Sequence, residues 1–209
     1  MFMAVQLPQT GDTETLIEEA SAHADEHGLS LFQNWFAFFG AAIRLRQDRA
    51  AEALPQMQAA IAAADGRLSR QFRPFQLGCV AEAHLRLGDA EQALTVVDTA
   101  IQTGEASGEK QSAAGLHRLR GEIFLALQRP LDAAREFQRA LSIARRQKAR
   151  SEELRVALSM LASKRDKERA HTALAEVHGW FTEGLDLPDQ TAARAALDPF
   201  STRSSAARS

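Results

Sequence analysis

The chain has 209 residues, 25 Lys and Arg against 27 Asp and Glu, and a formal net charge of −2. That balance argues against a whole-surface electrostatic nucleic-acid binder, the single Cys79 excludes an internal disulfide, and no run approaches the ~18 uninterrupted apolar residues of a membrane span. The apolar share of 45% is ordinary for a folded domain and leans on Ala and Leu, strong helix formers, while Val, Ile and Thr never alternate with polar residues over a strand's length.

Residues 1–11 predict a flexible N-terminus without the basic segment or apolar run of a signal peptide, and Cys79, inside an apolar stretch, predicts a buried thiol in a reducing cytoplasm. A helix is predicted at 13–27. It belongs to a stretch carrying Asp12, Glu14, Glu18, Glu19, Asp25 and Glu26 with no Lys or Arg. His23 and His27 stand at i, i+4 on one helical face, a spacing that can hold zinc. A zincin needs Glu where Ala24 stands, and no Cys or further His lies nearby, so the pair reads as a solvated helix end. No metal and no cofactor is expected.

After Gly28, placed to end that helix, a helix at 30–46 carries Phe32, Phe36, Phe39 and Ile43 on one face, predicted core, and Trp35, Phe38 and Ala42 on an adjoining one. Ser30 with Gln33 has capping-box spacing, as does Asp89 with Gln92. The next helix, 49–64, contains Pro55, which should kink it or shift its start, and Gly66 should close it. Helices follow at 72–87, 89–106 (ending before Gly108), 111–127, 130–147 (opened by Pro130), 151–165 and 168–182. GEASGEK at 104–110 lacks the Gly-Lys-Ser/Thr order of a phosphate loop and reads as a helix-to-helix turn. His84 and His117 fall on helices as packing residues.

Between 139 and 169 lie Arg139, Arg145, Arg146, Lys148, Arg150, Arg155, Lys164, Arg165, Lys167 and Arg169 against few acids. This basic stretch and the acidic opening read as solvated faces, the sharper alternative being ends that select partners. Gly184 breaks the last long helix, Pro188 starts a short capping helix to about Asp198, and 199–209 is predicted disordered.

These elements repeat. LRQDRAAEAL at 45–54, LRLGDAEQAL at 85–94 and LALQRPLDAA at 125–134 align at a spacing of 40 residues, and one further step lands on Ala173. Ala53, Ala93, Ala133 and Ala173 mark a close helix contact. Ala41, Ala81 and Gly121 face it on the first helix of each pair. Met57, Val97, Phe137 and Val177 fill the space toward the next pair, with Ala60, Ala100 and Ala140 completing the pattern. Helix pairs of this kind bury their apolar faces by stacking.

Gly121, Phe124, Ala133, Phe137 and Ala140 resemble the tetratricopeptide repeat in type and offset. The unit departs from it at His117 and Arg120, where Trp and Leu are usual, in lacking a closing Pro, and in its longer period. Pro74-Phe75 leading to VAEAHLRLG at 80–88, LHRLRGE at 116–122 and GWFTEG at 179–184 resemble the C-terminal repeat region of large bacterial regulators, which join a nucleotide-cyclase or DNA-binding domain to a predicted signalling ATPase. The resemblance covers roughly 12–198 and brings no catalytic domain with it. HEAT and armadillo arrays share the period range but not the small contact residue four ahead of a large one.

The fold class expected is therefore all-α: a right-handed superhelical array of antiparallel helix pairs over 12–198, with a short C-terminal capping helix. The expected function is non-catalytic, a protein-interaction scaffold. The alternative is a ligand-sensing module of a bacterial signalling ATPase or cyclase system. In tetratricopeptide arrays the first helices line a concave surface, which would here present Trp35, Phe38, Arg46, Phe75, Arg86, Arg118 and Glu122 to a protein or peptide. The competing reading packs these aromatics between neighbouring helices. Neither nucleic acid nor membrane is an expected partner, and the orphan first helix points to self-association through the N-terminal end.

Overall fold

A computed structural model describes residues 11–64, 72–163, 165 and 167–198. Ten helices run through them, and no described residue is in a strand. They are α1 (Gly11–Glu26), α2 (Ser30–Arg46), α3 (Ala50–Ala63), α4 (Arg73–Arg86), α5 (Ala90–Ser107), α6 (Ala113–Ala126), α7 (Pro130–Gln147), α8 (Arg150–Ala162), α9 (Lys167–His178) and α10 (Pro188–Leu197). Residues 1–10 and 199–209, predicted flexible, and Gly66, predicted to end a helix, lie outside the described residues. None of the described helices is long and apolar enough to cross a membrane.

The helices fall into two compact units, α1–α5 within Met1–Ser112 and α6–α10 within Ala113–Ser209. In the first, each helix packs on the next, and α2 also meets α4; in the second, α6 pairs with α7, α8 with α9, and α10 lies on α8 and α9.

The turns inside three pairs, α2–α3, α4–α5 and α6–α7, share one geometry. Asp48, Gly88 and Gln128, spaced by the repeat, take φ of 60°, 83° and 59°. The residue after each donates its N–H back across the turn: Arg49 to the Arg44 carbonyl at 3.0 Å, Asp89 to His84 at 2.9 Å, Arg129 to Phe124 at 2.8 Å. This left-handed closure satisfies carbonyls that a helix end leaves open. Only Gly88 adopts it without a Cβ penalty.

Asp89 caps α5, its Oδ1 accepting the Gln92 N–H at 3.3 Å. Ser30 does not cap α2. Leu29 holds the N-cap position with no side-chain bond, and Ser30 is already helical. Pro55 sits inside α3 without delaying its start at Ala50. The helix predicted at 168–182 stops at His178, so Trp180 and Phe181 lie in the following turn.

The small contact residues are buried as the repeat requires: Ala41, Ala53, Ala81, Ala93 and Ala133 are fully shielded and Ala173 nearly so, with Met57, Val97, Phe137 and Val177 beside them in the cores. Gly121 shows why the residue must be small. A Cβ there would stand 2.5 Å from Cε1 of Phe137. Where the filling residue is Met57 or Val97, the facing position holds Ala41 or Ala81; where it is Phe137, the methyl is gone. Phe39 and Ile43 are core as predicted, Phe36 is half-buried, and Phe32 is 43% exposed. Phe32 stands in the first turn of α2, its ring 6.3 Å from Phe36.

Candidate functional site

The aromatics expected on a partner-binding face chiefly join α2 to α4. Phe38 is only 1% exposed, its ring 6.0 Å from Phe39 and 6.2 Å from Phe75. It belongs to the core and offers no contact to a partner. Phe75 is half-buried against Phe38 and Phe39. Trp35 is half-buried too, edge-on to Phe72 at 5.5 Å and to Phe32 at 6.2 Å. The i, i+3 spacing from Trp35 to Phe38 puts the two on one helical face. A second helix lies against that face and takes the rings in.

The charges behave alike. Arg86 donates to Asp48 at 2.6 Å, to Glu82 at 2.8 Å and to the Leu45 carbonyl at 3.0 Å, so it holds the end of α2 from α4. Arg46 lies 3.9 Å from Glu82. In the second unit Arg118 donates to Glu122 at 2.6 Å, and the same carboxylate accepts Ser159 Oγ at 2.7 Å, joining α6 to α8. The expected site residues are thus engaged within each unit, most of them as inter-helix ties, with Arg118 bonded along its own helix.

The surface of the first unit carries a different feature. An open, largely apolar groove of about 490 Å³ runs among α1, α2 and α3. Phe36, Ala37 and Gly40 of α2 with Ala59, Ala60 and Ala63 of α3 line it, and Ile17 contributes from α1. Glu14, Glu18 and Ser21 edge it from α1, with Arg44, Asn34 and Gln56 opposite. Arg44 donates to Gln56 at 2.9 Å and stands 3.6 Å from Glu14. Neither His nor Cys is among the lining residues.

Sequence reasoning missed this groove because it follows aromatics and charges, and the groove comes from small side chains. The signal was present: one repeat on, the Ala37 and Gly40 positions hold Leu77 and Val80.

In the second unit a concavity of about 450 Å³ lies among Arg145, Arg150, Glu153, Glu176, Val177 and Trp180. Its charges are spent on one another. The buried Glu153 accepts Arg145 and Arg150, each at 2.7 Å, and Arg145 also reaches Glu176 at 3.1 Å. Trp180 is 60% exposed beneath the Arg150 guanidinium.

His117 is buried and pairs with Glu136 at 2.7 Å, which Arg120 also approaches at 3.6 Å. Burial opposes charge on Glu136, but the His117 hydrogen bond and the nearby His117, Arg120 and Arg139 charges outweigh it and hold the carboxyl below its ordinary value. His117 and Arg120, which stand where the tetratricopeptide pattern has Trp and Leu, thus meet on one carboxylate in a partly buried polar cluster. Cys79 is buried as predicted; desolvation, helped by Glu82 and opposed by Arg46, pushes its thiol up to about 12, so it is no nucleophile.

No family model matches the chain, and none of the curated proteins matches it. The functional reading rests on the geometry above.

Proposed function

We propose that the chain is a non-catalytic interaction scaffold of tetratricopeptide-like helix pairs, and that the groove among α1, α2 and α3 takes a peptide segment of a protein partner. Its supports are the 40-residue register, carried from Ala53 to Ala173, and the likeness of its turns at Asp48, Gly88 and Gln128. The right-handed superhelix belongs to the same proposal.

The observation that carries it is the groove itself: an apolar floor within a polar rim, large enough for a few side chains and open along its length. The α1 edge supplies Glu18, while Glu14 and the lining cation Arg44 already engage one another. A segment with one or two apolar anchors flanked by Lys or Arg fits that charge. The face of Trp35, Arg46 and Arg86 is the weaker candidate, since its groups already bind each other's helices.

Gly40→Leu tests this. A Cβ at Gly40 meets Arg44 and Ile17 only at ordinary contact distances of 3.5 and 3.6 Å, and the longer side chain extends from there into the groove, with circular dichroism and the urea midpoint checking that the fold survives. Partner capture should fall at least about tenfold, a loss of roughly 1.4 kcal/mol, with helical circular dichroism unchanged. Capture undiminished by Gly40→Leu sinks the assignment of the groove. Saturable Trp35 quenching by metabolites, with no protein captured, would favour the alternative of a ligand-sensing module in a bacterial signalling system.

Self-association through the α1 end is part of the same reading, supported by the exposure of Leu16, Leu29 and Phe32.

A further inference from the structure

The helix end around His23 and His27 gains from the structure what the sequence reading withheld from it, a third donor. One ligand-type atom from each of His23, Glu26 and His27 lies within 4.8 Å of the others, on the exposed C-terminal turn of α1. The His27 N–H still bonds the His23 carbonyl at 3.2 Å, so helical geometry extends through the pair and sets the rings edge-on with centroids 4.4 Å apart. A tetrahedral zinc ion with Zn–N of about 2.0–2.1 Å holds its donors about 3.4 Å from one another. Exposed side chains close that difference by rotamer adjustment alone.

Two further facts favour a cation here. Among the described residues, no side-chain hydrogen bond or ion pair engages any of the three groups, so nothing has to be broken to bind a metal. The local field is also negative: the C-terminal end of a helix dipole points at the site, and Glu19, Asp25 and Glu26 lie within four residues of His23 with no Lys or Arg on that stretch.

We propose that His23, Glu26 and His27 form a binding site for a late first-row divalent metal ion. Two imidazoles and one carboxylate suit zinc, nickel or copper rather than magnesium or calcium, which take oxygen donors. Three protein donors leave a coordination position open to solvent. The site does not depend on the groove or on any partner.

The full chain, titrated with Zn²⁺ and separately with Ni²⁺ by calorimetry in a non-coordinating buffer, should bind one equivalent saturably. His23→Ala and His27→Ala should each weaken binding by more than the roughly 10–100-fold typical of losing a second-shell contact, and Glu26→Gln by a smaller factor. His171→Ala, on the exposed side of α9, should leave binding unchanged. All three site residues are exposed, so the variants keep the fold, which circular dichroism checks. Failure to saturate, or one-equivalent binding that persists in His27→Ala, would overturn the site.

Discussion

Gly121 and Phe137 show at the smallest scale how this chain packs. The glycine exists because a phenyl ring occupies the place of its Cβ. Gly121→Ala should therefore destabilise the second unit by roughly 1–3 kcal/mol through overpacking. Combined with Phe137→Val, which copies the Ala81 and Val97 pairing one repeat earlier, it should cost at least ~1 kcal/mol less than the sum of the single changes. Urea denaturation of the four proteins measures the cycle, and strict additivity would show that the two residues do not meet. The small-residue rule was readable from the sequence, since Gly and Ala recur in phase. Which of them tolerates no methyl was not, because that depends on the distance between two helices.

The turns are the next level. Gln128 takes the left-handed conformation at φ 59° with a side chain that makes this unfavourable. Gln128→Gly should raise stability by about 0.5–1 kcal/mol, read as a higher urea midpoint at constant slope. A lowered midpoint would mean that the side chain contributes something the turn geometry does not show. The same change at Asp48 should gain less, because Asp48 also binds Arg86 at 2.6 Å. Element order and bounds were legible because apolar residues recur at helical spacing and Asp89, Pro130 and Gly108 stand at helix ends. Ser30 misled because a capping-box pattern states only what a side chain is able to do. The chain entering α2 closes instead through the Leu29 N–H to the Ala24 carbonyl at 2.9 Å.

For the molecule as a whole, the exposed large hydrophobics include Leu16, Leu29 and Phe32, all near the α1 end. A helix that would be the second of a pair, with no first helix before it among the described residues, leaves such side chains facing water. Light scattering across a wide concentration range should show a mass that rises with concentration in the native chain and less steeply in Leu16→Glu. A constant monomer mass would count against self-association through this end.

The sequence by itself determined the helices, their pairing and the residues that must be small, because these follow from periodicities within one chain segment. The tertiary structure decided which surface groups are free. Phe38, Arg86 and Glu122 looked available along their own helices and were taken up by the neighbouring helix pair. Ala37 and Gly40 looked inert and opened a groove. Glu26 became a candidate ligand only when its distance to two imidazoles was known. A helix pattern fixes the direction of a side chain, but availability depends on what lies opposite, and that is settled only when separate helices meet.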